Sequence, residues 1–96
     1  MRVLQLTLFK RFFDEIAAGL KREEYREIKE YWTKRLIKEY DVIEFRNGYA
    51  ANAPMMRVEY CGYEIKTIVH PITGNEETVY ALRIGRVIDI KNYIPI

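Results

Sequence analysis

The chain has 96 residues, 49% hydrophobic and 31% charged, a balance that excludes intrinsic disorder and bounds it to a single domain over 1–96. Its formal net charge of +2 is too small for a duplex binder that neutralises many phosphates, though it permits a local basic patch. One cysteine, Cys61, and one histidine, His70, exclude an internal disulfide and a zinc centre built from this chain, so neither metal nor cofactor is expected.

No apolar run approaches the roughly 20 residues of a membrane span. The opening MRVLQLTLF lacks the charged-then-apolar pattern of a signal peptide, so a reducing cytoplasm is the expected location.

Val3 to Leu8 is short, β-branched and leucine-rich, which predicts a buried strand. Phe9, Phe12, Phe13, Ile16 and Ala17 then recur at helical spacing, opposite Arg11, Asp14 and Glu15. All three phenylalanines are expected in the core. Gly19 stands just past the last periodic position, where a left-handed C-cap belongs. Lys21 to Glu27 follows that stop and predicts a strand, with Arg22, Glu24 and Arg26 on one face and Glu23, Tyr25 and Glu27 on the other. Ile28, Tyr31, Trp32 and Leu36 restore the helical period, and Lys29, Lys34, Arg35 and Lys38 give that helix a largely basic outer side.

Asp41 to Arg46 alternates as a strand, with Ile43 and Phe45 pointing away from Val42, Glu44 and Arg46. Asn47-Gly48 is a strong turn dipeptide, and Tyr49 to Pro54 reads as a polar loop. Met55 to Thr67 reads as two strand pieces broken at Gly62 by a bulge or hairpin, and His70 to Glu77 as a loop. Thr78 to Ile90 is β-rich but interrupted at Gly85, and 92–96 forms a short tail. The expected class is α+β, with a mixed or antiparallel sheet whose edges partial barrel closure would protect.

From Gly19 the chain reads G-L-K-R-E-E-Y-R, which matches G-x-K-x-x-E-x-R, the signature of ASCH domains. An LxL strand and an FFDEIAAG helix precede the motif; a helix with Tyr31-Trp32 and an EFRNG strand-turn follow it. The chain therefore resembles the ASCH family over nearly its whole length, and is most similar to short phage-type or bacterial members. That resemblance implies a small PUA-like mixed β-barrel of about five or six strands with two flanking helices. It also implies a cleft beside the motif strand, suited to RNA or nucleotide ligands.

Some relatives are enzymes. One group removes the acetyl group from acetylcytidine with the motif lysine and a threonine at the position of the motif glutamate. Glu24 stands there in this chain, so that hydroxyl nucleophile is missing. Another relative is linked to RNA cleavage through a tyrosine and a lysine, for which Tyr25 or Tyr49 and Lys21 are available.

The candidate ligand-binding residues are Lys21, Glu24, Arg26, Arg46, Asn47 and Tyr49. Arg26 offers a planar fork for a phosphate or base edge, and Lys21 a point charge. Glu24 would orient Arg26 or accept from an exocyclic amine, while Arg46, Asn47 and Tyr49 would form a rim that reads and stacks an unpaired base. The competing reading is a solvated strand face with an ordinary ion pair, and a plain hairpin turn. Strict strand alternation puts Lys21 opposite Arg26, so their convergence requires a departure from the pleat.

Trp32 is expected to pack in the core and His70 to be an ordinary loop residue. Three functions stay open: an RNA or nucleotide-binding module, a small hydrolase of modified nucleosides with Lys21 as base and Glu24 or Glu44 as acid, and a phage or host protein-interaction module. Oligomeric state is not set by the sequence.

Overall fold

The chain folds as β1 (Val3–Thr7), α1 (Lys10–Ala17), β2 (Glu23–Glu27), α2 (Glu30–Leu36), β3 (Val42–Arg46), β4 (Met55–Val69) and β5 (Glu76–Lys91). The computed structural model describes residues 1–94; positions 95 and 96, the end of the expected tail, lie outside the described residues. All five strands join one mixed sheet in the order β1-β3-β4-β5-β2. β1 runs parallel to β3, and every other pair is antiparallel.

α1 thus carries the chain from one outer strand to the other, and α2 brings it back. The expected α+β class holds, but the sheet is not closed into a barrel: β1 and β2 are its two outer strands.

The core gathers Leu4, Leu6 and Leu8 from the first segment, Phe13 and Ile16 from α1, and Leu36 from α2 against the inner residues of β3, β4 and β5. Gly19 at φ 76° ends α1 as its position predicts, because a residue without Cβ takes the left-handed turn without strain. Phe9 corrects the expected stripe. It precedes the first helical turn with extended backbone, φ −64° and ψ 151°, so its ring leaves the helical face and is 72% exposed. The second helix is likewise shorter than its pattern: Ile28 falls before it, and both Ile28 and Tyr31 are exposed.

Neither glycine ends its strand, and of the bulge or hairpin expected at Gly62 it is the bulge that is found. β4 and β5 each run through, with irregular register between Arg57 and Tyr63. Gly62 takes φ 90° inside that bulge, while Gly85 lies against its far side. A Cβ at Gly85 would meet Cys61 Sγ and Glu59 Cβ, each at 2.9 Å. The Glu59 carboxylate replaces a ladder bond there by accepting from Arg86 N–H at 2.9 Å.

Tyr93, after β5, is anchored to α1: its hydroxyl donates to Asp14 Oδ1 at 2.9 Å while its ring packs on Phe13 at 5.2 Å. The Lys10 ammonium, and next the Tyr93 hydroxyl, hold the Asp14 carboxyl below its ordinary pKa of 3.8. This contribution is complete above that ordinary value and is lost as pH falls through the lower native one. Two stability measurements check this architecture. Gly85→Ala is expected to lower the unfolding free energy by about 1–3 kcal/mol in urea titrations. Tyr93→Phe is expected to destabilise at neutral pH, by a margin that narrows in acid.

Candidate functional site

The motif glutamate is the centre of the site. On β2, Glu24 and Arg26 pair with Leu82 and Tyr80 of β5, which turns both toward the core face of the sheet. Glu24 is only 5% exposed. Its Oε1 accepts from Lys21 Nζ at 2.9 Å, and its Oε2 from Arg26 Nη2 at 2.7 Å. Burying a carboxylate is costly unless it is paired, and here one anion is held by two cations.

Lys21 reaches Glu24 because β2 starts at Glu23, not at Lys21 as the sequence suggested. Its backbone N–H is tied to the Glu15 carbonyl at 3.1 Å, so the pleat does not govern its direction. The ammonium lies 4.5 Å from the Phe12 ring centroid and 5.0 Å from that of Tyr25, two cation–π contacts that hold it over the site.

Arg26 has a second partner across the sheet. Its Nη2 also donates to the Thr7 carbonyl at 3.1 Å, so one guanidinium links the two outer strands. Arg35 ties α2 to β1 two residues earlier, donating to the Gln5 carbonyl at 3.0 Å. Both guanidiniums pack on the Trp32 ring, at 5.0 and 5.1 Å from its centroid. Leu8 N–H bonds inward to the Arg46 carbonyl, and strand alternation therefore points the groups of Gln5 and Thr7 into the gap. Arg26 Nε is buried without a partner among the described residues. That costs about 1–3 kcal/mol, which the Nη2 bonds and the ring contact offset.

A cleft of about 650 Å³ opens over this seam, within the roughly 300–1,000 Å³ range of small-ligand sites. Lys21, Arg26 and Arg35 against Glu24 leave it a surplus of two positive charges. Phe9, Tyr31 and Tyr49 stand exposed around its mouth, and Tyr49 is 90% exposed.

Of the six expected ligand residues, Lys21, Glu24, Arg26 and Tyr49 line the cleft, whereas Arg46 and Asn47 do not. Arg46 donates to the Ala50 carbonyl and Asn47 Nδ2 to the Leu8 carbonyl at 2.9 Å, so both brace the loop that carries Tyr49. Glu44 is buried elsewhere, accepting from Arg57 Nε at 3.1 Å, and cannot serve as an acid in the cleft. Tyr25 lines it, but burial first and the Glu23 carboxylate next raise its hydroxyl above the ordinary pKa of 10.0, which keeps it protonated.

The residues that pattern reading missed are Phe9, Trp32 and Arg35. Trp32 packs on the core and also forms a wall of the cleft. Its neighbour Arg35, placed on the outer face from its spacing, instead turns to the seam. His70 lines the cleft from the β4–β5 turn, where its Nδ1 accepts from Ile72 N–H at 3.2 Å and caps that turn.

Among the described residues no three His, Cys, Asp or Glu side chains gather as metal ligands, and no helix is long and apolar enough to cross a membrane. Glu24→Ala leaves two cations facing each other on a buried wall, and is expected to cost about 3–5 kcal/mol in urea unfolding. Lys21→Met, which keeps the Glu24–Arg26 pair, should cost clearly less; the reverse order would contradict the central place given to Glu24. No family model matches the chain, and no curated protein or solved structure matches it either.

Proposed function

We propose that the chain is an RNA- or nucleotide-binding module of the ASCH type, whose sheet is a PUA-like barrel left open along the seam between β1 and β2. The observation that carries this reading is the convergence of the motif side chains Lys21, Glu24 and Arg26 in one cationic cleft with aromatic rings at its mouth.

The chemistry of the cleft suits a nucleotide in two ways. Lys21 keeps donors beyond the one that Glu24 takes, and Arg35 adds a second cation near the sheet edge, so a phosphate would find charge-assisted donors on both sides. Exposed rings are poor partners for water but good faces for an unpaired base, and stacking of this kind accepts any sequence. Glu24 acts as a positioning residue: both of its oxygens are engaged by the cations it aims. The hydrolase reading loses Glu44, which lies outside the cleft, and keeps only Lys21 and Glu24, already bound to each other.

Trp32 is the sole tryptophan, so its fluorescence reports what enters. Titration with single-stranded RNA and with nucleoside monophosphates at low salt is expected to change that emission. Tyr49→Ala should weaken binding by about 1–3 kcal/mol with an unchanged melting curve, since the side chain is almost wholly exposed. Lys21→Met should reduce the slope of log affinity against log salt by about one. Neither ligand binding at low salt, or binding indifferent to both substitutions, would sink the proposal.

A further inference from the structure

The bulged half of β4 is covered by β3 only as far as Tyr60, whose N–H donates to the Asp41 carbonyl at 3.0 Å. Beyond it, Tyr63 to Val69 pair with β5 alone, so the other side of this stretch is an open edge among the described residues. The phase of the ladder decides which groups face outward. His70 N–H donates to the Asn75 carbonyl at 2.8 Å, so the even-numbered residues bond inward to β5. Antiparallel alternation then turns the N–H and C=O groups of Tyr63, Ile65, Thr67 and Val69 toward solvent.

Natural sheets blunt such edges with proline or outward charge. Here the outward-bonding residues are uncharged β-formers, no proline falls between Met55 and Val69, and Ile65 and Val69 are 59% and 66% exposed.

We propose that this edge pairs with the same edge of a second copy of the chain, antiparallel about a two-fold axis at Ile65, to give one continuous sheet across a homodimer. Charge selects that register. With the axis at Ile65, Glu64 of each copy stands opposite Lys66 of the other, and Tyr63 opposite Thr67. Moving the axis by one residue puts either two Glu64 or two Lys66 side chains face to face, which destabilises a strand pair. The pairing also extends ion pairs already formed within each copy. Glu64 accepts from Arg83 at 2.9 Å and Lys66 donates to Glu23 at 2.6 Å, so the charges alternate in sign across the joint. A two-fold contact uses the same patch on both copies and closes at two, which consumes the edge instead of propagating it. Nothing in this pairing rests on what the cleft binds.

Sedimentation velocity of the full chain over a wide concentration range tests it, with circular dichroism to confirm that each variant folds. The wild-type chain is expected to dimerise. Lys66→Glu, which makes both cross-strand charge pairs repulsive, should weaken the dimer on the order of tenfold. The double exchange Glu64→Lys with Lys66→Glu should recover part of that loss, because the pairs across the joint are again opposite in sign while Arg83 and Glu23 now meet like charges within each copy. Ile65→Lys, at an exposed position, should dissociate it by placing two ammonium groups at the axis. A chain that stays monomeric throughout overturns the proposal and leaves the edge to a strand of another protein. A dimer indifferent to both Lys66→Glu and Ile65→Lys overturns it equally.

Discussion

The organisation of this fold depends on one guanidinium. Arg26 stands where the two outer strands of the sheet approach without sharing a ladder, and it binds each side: Glu24 on its own strand and the Thr7 carbonyl on β1. A backbone ladder would have joined those strands along their length and filled the gap. A side-chain bridge joins them at one height and leaves room beside it. The cleft is therefore a consequence of how the sheet ends meet, and its charge is a consequence of what bridges them.

That arrangement would not hold with Arg26 alone. A half-buried cation is best held by an anion, and Glu24 supplies it at 2.7 Å. Glu24 in turn has a second oxygen, which Lys21 occupies. The glycine turn at the end of α1 delivers Lys21 to that oxygen from outside the strand, so three residues of one short segment approach a common point. Trp32 then fixes the arginine plane from the α2 side, with Arg35 packed on the same ring. Each member restrains the next, and the positive surplus stays directed into the opening.

Much of this was legible in the sequence, and the failures have identifiable causes. The mostly charged β2 was read from the glycine stop before it, whereas apolar periodicity located both helices and the other strands, because a buried face leaves its period in the residue order. The spacing of Glu24 and Arg26 placed them on one strand face for the same reason. Lys21 was misplaced on the strand because the end of a turn and the start of a pleat look alike when every residue is charged. Phe9 was assigned to the core by its spacing, yet spacing says nothing about whether the first helical turn has begun. Asn47 and Arg46 read as ligand groups, but polar side chains beside a loop more often satisfy its backbone, and these two do. Arg35 was read only as part of a basic outer helix face, since its target, the Gln5 carbonyl, lies 30 positions away.

Among the described residues, two of the unpaired edges of the sheet differ in their chemistry. β1 and β2 face the seam, where Arg35 and Arg26 cap the carbonyls of Gln5 and Thr7 and Glu24 holds Arg26 in place. An incoming strand would have to displace those buried ion pairs, at a cost that a few backbone hydrogen bonds do not recover, whereas a small anionic ligand would add to them. The distal half of β4 carries no such caps. Its ion pairs lie on the face opposite Tyr63, Ile65 and Val69, clear of the outward backbone groups, so a second strand could add without breaking any of them. Charge placement thus separates, within a single sheet, an edge whose carbonyls are capped by arginines from an edge whose outward backbone groups are left clear.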